Sequence, residues 1–163
     1  MAEEVTEMNF DPEALRARYR VERDKRLRED GNEQYIEMTG GFANYLDDPY
    51  IDEPIQRDPI SDEVDVVLIG GGFGGLQAAA RLRDAGVNDF LLIEKGGTFG
   101  GTWYWNRYPG ARCDVQSMEY SYTFDDALQQ DWNWSEKYAP QPEILRYANH
   151  VADRFKLRPH INF

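Results

Sequence analysis

The chain has 163 residues, enough for one domain of ordinary size, and 41% of them are hydrophobic, enough for a packed core. Thirty acidic against eighteen basic side chains give a net charge of -12, which repels nucleic-acid phosphates and anionic membrane surfaces and makes neither an expected partner. Cys113 is the only cysteine, so an internal disulfide and a cysteine-rich zinc site are excluded, no metal is expected, and a reducing cytoplasm suits the chain.

The opening MAEEVTEMNFDPE is acidic where a secretion signal has a basic region followed by an apolar one. Residues 1–10 read as disordered. Residues 1–60 carry sixteen acids and eight bases and read as an N-terminal arm, most of it solvated surface. Asp11, Pro12 and Glu13 make a helix start: a capping carboxylate, a proline in the first turn and an acid facing the dipole. The expected helix runs from about Pro12 to Asp30 and is ended by Gly31. Leu15, Tyr19 and Leu27 give it only a thin apolar stripe, so Arg16, Arg18, Arg20, Glu22 and Arg23 read as a solvated face. A loop-rich collar follows, with Tyr35, Phe42, Tyr45 and Tyr50 as aromatic anchors and Pro54 and Pro59 as breakers. The arm reads as non-catalytic.

From Val64 the pattern changes. Val64, Val66, Val67, Leu68 and Ile69 form a nearly continuous apolar run of the kind a buried parallel strand requires. Helical periodicity takes over at Leu76, Ala79, Ala80 and Leu82, and Gly86 ends it as a C-terminal glycine should. A second apolar run, Phe90 to Ile93, predicts the next parallel strand. The least polar stretch, Val66 to Ala80, is shorter than the roughly 18 to 20 residues a membrane span needs. Strand, helix and strand in this order make a right-handed βαβ unit. The expected class is α/β, with a Rossmann-type domain over residues 61–163.

Gly70, Gly72 and Gly75 form GxGxxG between the first strand and its helix, with Phe73 and Gly74 inside the motif. The first glycine permits a tight turn, the second lets backbone approach a pyrophosphate, and the third lets helix and strand pack closely. Free N–H groups and the helix dipole then meet the phosphate charge. Glu94 ends the second strand, followed by Lys95, where an acid accepts hydrogen bonds from a ribose diol. A carboxylate there disfavours a 2′-phosphate, which leaves FAD or NAD.

Lys95 to about Gln130 lacks clear periodicity and is crowded with Gly, Trp, Tyr and Arg, as functional loops are. Gln141 and Pro142 open another helix, with Ile144, Ala148, Val151 and Phe155 on one face and Leu145 and Ala152 beside them. Leu157 to Phe163 reads as the start of a further strand. His150 and His160 are isolated and read as non-catalytic. No histidine is placed to activate Cys113, whose sulfur reads as a small buried apolar group.

The run Gly100-Gly101-Thr102-Trp103-Tyr104-Trp105-Asn106-Arg107-Tyr108-Pro109-Gly110-Ala111-Arg112-Cys113-Asp114 resembles the FAD-binding segment of type I Baeyer-Villiger monooxygenases. The resemblance continues through Glu119-Tyr120, Trp132-Asn133-Trp134 and Gln141 to Tyr147, and covers roughly the last hundred residues. It implies a flavoenzyme that reduces FAD with NADPH, captures oxygen as a C4a-peroxyflavin and inserts one oxygen atom beside a ketone, giving an ester or lactone. By the same resemblance, Thr102, Trp103, Tyr104 and Trp105 line the flavin, Glu94 holds the adenosine ribose, and Tyr120 contacts the flavin. Asp114 matches a catalytic aspartate paired with an arginine of a second nucleotide domain, and Arg112 and Cys113 adjoin the nicotinamide cofactor. For the bare residues, a hydrophobic core explains the aromatic cluster, a turn or cap explains Asp114, and a surface ion pair explains Arg112.

A second GxGxxG, the partner arginine and an F-x-G-x-x-x-H-x-x-x-W fingerprint are missing from the sequence. The domain is therefore expected to be incomplete at its C-terminus, with the remainder of the enzyme as its partner and the isolated chain inactive. Two alternatives stay open: part of an N- or S-oxidising flavin monooxygenase, which shares the glycine loop and GGTW, or a non-catalytic nucleotide-binding fragment.

Overall fold

The computed structural model describes residues 10–163; the disorder expected at the N-terminus falls, for residues 1–9, outside the described residues. The chain divides into two compact units, the first ending at Asp47 and the second comprising Asp48–Phe163. Residues 48–60 of the expected collar thus group with the second unit.

In the first unit α1 spans Pro12–Asp24. Asp11 caps it by accepting the Glu13 N–H at 2.9 Å, and Pro12 takes the first helical position, where a missing N–H costs nothing. The helix stops at Lys25 and does not reach Asp30. Its last turn tightens as the Arg26 N–H bonds the Arg23 carbonyl, and beyond it Leu27 alone offers an apolar contact to extend a helix that already buries no residue. Gly31 opens a 3-10 turn, Gly31–Gln34, and a second one spans Gly40–Leu46.

The second unit is α/β. Its strands are β1 (Val66–Ile69), β2 (Phe90–Ile93) and β3 (Ile161–Asn162). Its helices are α2 (Phe73–Asp84), α3 (Thr102–Trp105), α4 (Asp126–Asp131) and α5 (Gln141–Arg154). All pairings are parallel in the order β1-β2-β3, with Val66 opposite Phe90, Ile69 opposite Ile93, and Leu92 opposite Ile161. A Schellman end closes α2: Gly86, at φ 82°, donates to the Arg83 carbonyl and Val87 to that of Leu82.

The core lies between α2, α5 and one face of the sheet. Leu76 and Ala79 of α2, Leu92 of β2, and Ala148, Val151 and Ala152 of α5 are all fully buried there. Phe99, Tyr122 and Leu157 of the connecting segments and Leu128 of α4 seal it. Only one face of β1 joins the core, which corrects the expectation of a buried strand. Val66 and Leu68 pack inward, whereas Val67 is 50% and Ile69 89% exposed. The strand period of two sends alternate residues to opposite faces, and among the described residues no element covers the outer one.

The segment after Glu94 is less irregular than its sequence suggests, holding α3, a 3-10 turn over Ser117–Tyr120, and α4. Arg112 bridges antiparallel to Pro140, the Cys113 N–H bonds the Ala139 carbonyl, and the Gln141 N–H bonds that of Ala111. This pins the Arg-Cys-Asp stretch to the start of α5.

Candidate functional site

The glycine turn forms where β1 hands over to α2. Gly70, at φ 101°, reverses the chain while its N–H bonds the Ile93 carbonyl at 2.7 Å. Gly72 occupies the N-cap of α2 and supplies no side chain, so the first-turn amides are left for an external acceptor. A β-carbon at Gly75 would overlap the Gly70 carbonyl oxygen; helix and strand approach this closely only because no side chain intervenes. Phe73 and Gly74 lie in the first turn, Gly74 exposed and Phe73 half-buried.

A second backbone segment closes on the turn. The Gly100 N–H donates to the Gly71 carbonyl at 3.0 Å. Gly101, at φ 55°, sits so close that a β-carbon on it would lie 2.9 Å from Gly72 Cα. Two bare backbones thus face each other, a cradle suited to a pyrophosphate. Beside it opens a cleft of about 680 Å³ lined by Gly72, Phe73, Gln77, Gly100, Gly101, Thr102, Trp103 and residues 119–123.

Glu94 is 9% exposed, and both of its oxygens are engaged. Oε2 accepts the Gly71 N–H at 2.6 Å and Oε1 the Gly96 N–H at 2.7 Å. It therefore braces the glycine turn against the following loop, a role that sequence spacing did not reveal. Neither Glu94 nor Lys95 lines the cleft; Lys95 is exposed, its Nζ 5.7 Å from the Trp105 ring centre.

The aromatic run is split by α3. Trp103 faces the cleft and meets Tyr120 edge-on at 5.4 Å, and Tyr120 meets Phe73 edge-on at 5.6 Å. Burial raises the Tyr120 phenol above its ordinary pKa, reinforced by Cys113 and Asp114 and opposed by a hydrogen bond with Trp103. Tyr104 and Trp105 stand outside the lining. Tyr104 is 2% exposed and donates a hydrogen bond from its hydroxyl to Asp48 Oδ2 at 2.5 Å.

The remaining predicted residues lie at one side. Asp114 is exposed and makes no ion pair among the described residues. Arg112 pairs with Glu136 at 2.9 Å and also bonds the Tyr138 carbonyl. Cys113 is buried with Trp103, Ala139 and Ile144, as a small apolar residue would be.

Sequence reasoning missed three contributors. Gln141, 6% exposed, donates to the Trp103 carbonyl at 2.5 Å and fixes α3 against α5. Tyr122 donates its hydroxyl to the Phe73 carbonyl at 2.5 Å and its N–H to the Tyr147 hydroxyl oxygen at 2.9 Å. Asp48 ties Gly97 of the loop between β2 and α3 to Tyr104 of α3. The signals for Gln141 were its place at the start of a helix and within the family-like run; nothing local marked Asp48.

A family model for an NAD(P)-binding Rossmann-like domain matches residues 68–133. The chain is 47% identical over 156 residues to a Baeyer-Villiger monooxygenase of Streptomyces coelicolor, covering 93% of this chain and 25% of that protein. It is 49% identical to the neopentalenolactone D synthase of Streptomyces avermitilis, covering 90% of this chain and 24% of that protein. Among solved structures it superimposes on an oxidised steroid monooxygenase bound to NADP with TM-score 0.59 and 58% identity, covering 61% of this chain and 19% of that one. An open cyclohexanone monooxygenase gives TM-score 0.59 and 48% identity, covering 61% and 20%. The chain spans about a quarter of the length of the relatives it matches.

Proposed function

Because this chain belongs to the Baeyer-Villiger monooxygenase family, we propose that it is the FAD-binding part of an enzyme that uses NADPH and O2 to convert ketones to esters or lactones. The observation that carries the proposal is the pair of bare backbones, Gly70–Gly75 and Gly100–Gly101, meeting at an uncapped helix N-terminus beside a cleft with an aromatic wall. Backbone N–H groups and the dipole of α2 favour the negative charge of a pyrophosphate. Bound FAD would supply the redox chemistry that links NADPH, oxygen and the ketone.

In this reading Gly70, Gly72, Phe73, Gly74 and Gly75 cradle the pyrophosphate, and Gly101, Thr102 and Trp103 face the flavin. Tyr104 and Trp105 support that wall from behind. Glu94, with Lys95 next to it, faces the adenosine ribose while bracing Gly71 and Gly96. Tyr120 closes the cleft opposite Trp103. Asp114 is the catalytic carboxylate; its exposure and freedom from an ion pair leave it able to orient an arginine supplied by the rest of the enzyme. Arg112 lies toward the nicotinamide cofactor, and Cys113 holds its backbone in place from the core. Ketone and oxygen are the expected small-molecule partners, in the cytoplasm. Among the described residues no helix is long and apolar enough to cross a membrane.

The test is a chimera carrying this chain in place of the corresponding quarter of the Streptomyces coelicolor relative. It should retain FAD and convert a ketone to an ester with NADPH and oxygen. Uncoupled NADPH oxidation with no ester from any ketone tried would reject the ketone assignment. Oxidation of amines or sulfides alone would favour the N- or S-oxidising alternative.

A further inference from the structure

The segment from Gly96 through α3 to Trp105 carries one wall of the cleft, and its inner side is held by the Gly71 carbonyl, Asn149, Gln141 and the buried Phe99. Its outer side is gripped by the segment Asp48–Ile51. Asp48 Oδ2 accepts the Gly97 N–H at 3.0 Å and the Tyr104 hydroxyl at 2.5 Å, and Oδ1 accepts the Tyr50 N–H at 2.9 Å. Tyr50 donates its own hydroxyl to the Trp105 carbonyl at 3.2 Å and packs edge-on against Tyr104 at 5.8 Å. The Arg107 guanidinium covers both rings, 3.8 Å from the centre of Tyr50 and 4.8 Å from that of Tyr104, while its Nε bonds the Tyr104 carbonyl at 2.8 Å. The fit leaves no slack: a β-carbon on Gly96 would lie 2.7 Å from the Tyr104 ring, and one on Gly97 would overlap Ile51.

One carboxylate therefore joins the two ends of the segment. Gly97 directly follows Gly96, whose N–H is held by Glu94 next to the glycine turn. Tyr104 lies directly after Trp103 of the cleft wall. We propose that Asp48 is a positioning residue: by clasping Gly97 and Tyr104 it holds the loop in the shape that lets Gly101, Thr102 and Trp103 receive a flavin, and so sets cofactor affinity. This inference deepens the proposed FAD function and relies on it for the identity of the ligand.

The experiment measures FAD binding by flavin fluorescence and amide hydrogen exchange across residues 96–105, in the full chain and in the variants Asp48→Ala, Asp48→Asn and Tyr104→Phe. Asp48→Ala should weaken FAD binding about tenfold and speed exchange at Gly97, since it removes acceptors from two shielded donors. Asp48→Asn keeps a carbonyl oxygen and should recover most of both losses. Tyr104→Phe, which leaves the Gly97 bond intact and adds no cavity, should fall between the parent chain and Asp48→Ala. Unchanged FAD affinity in Asp48→Ala, or no recovery in Asp48→Asn, would overturn the assignment. If the parent chain fails to bind FAD, the flavin reading is what fails, and exchange at Gly97 then decides the clasp by itself: unchanged protection in Asp48→Ala rejects it, and lost protection supports it.

Discussion

A β-carbon at Gly75 meets the Gly70 carbonyl oxygen and, at 3.4 Å, Leu92 Cδ2. The carbonyl oxygen belongs to the backbone and Leu92 is fully buried, so helix α2 itself must move. Gly75→Ala is expected to destabilise the second unit by about 1–3 kcal/mol and to abolish retention of FAD; urea unfolding and flavin fluorescence check the two effects. Protonation supplies a second test. Burial raises the phenols of Tyr104, Tyr120, Tyr122 and Tyr147, with Asp48 adding to the effect at Tyr104 and Tyr147 adding to it at Tyr122. Their neutral forms contribute stability that is fully present below about pH 10, the ordinary phenol value, and lost as pH rises through the folded values. Tyrosinate absorbance from these four should appear together with alkaline unfolding, and its completion while the circular dichroism is still native would contradict the burial argument. Asp48 behaves oppositely. Desolvation works against its charge, but the bonds from Tyr104, Tyr50 and Gly97 and the nearby Arg107 outweigh it and hold the carboxyl below its usual value. Its contribution is present above about pH 4 and declines as pH falls through the folded value.

Elements long enough to repeat their pattern were legible in the sequence. The helix of Gln141–Arg154, the strand Phe90–Ile93 and the glycine-terminated α2 follow directly from apolar spacing. α3 has four residues and α4 six, too few for a 3.6-residue period to show. α1 was overextended because its charged sequence favours helix without offering an apolar face to continue it. The short elements depend on individual bonds, and α4 is the clearest case. Asp125 Oδ1 accepts the Leu128 N–H at 2.6 Å and also pairs with Arg154 of α5, placing Leu128 in the core at 1% exposure. Asp125→Ala should lower unfolding stability by about 1 kcal/mol, while Asp131→Ala, which removes only the more exposed partner of Arg154, should cost less. Equal effects in urea titrations would mean that the ion pairs, and not the cap, hold α4.

At the scale of the whole second unit, the sheet has one face covered and one left open among the described residues. Ile69 is 89%, Val67 50% and Ile93 46% exposed, an apolar surface next to the unpaired edge of β1. Such edges and patches pair with other chains. The isolated chain is expected to self-associate with rising concentration, and Ile69→Lys should reduce this without unfolding the unit, because the residue touches no core. Sedimentation velocity on both proteins tests it; identical association would place the contact elsewhere.

By itself the sequence determined the βαβ unit, the glycine turn at Gly70, Gly72 and Gly75 and the resemblance to flavin monooxygenases, because each depends on residues close together in the chain and on backbone conformations that few residue types allow. Tertiary structure alone decided that Glu94 braces Gly71, that Trp103 and not Tyr104 faces the cleft, and that Asp48 bonds Gly97 and Tyr104. These are contacts between residues distant in the chain. Their partners are chosen by how α2, α5 and the loops pack on the sheet, and no local spacing encodes that choice.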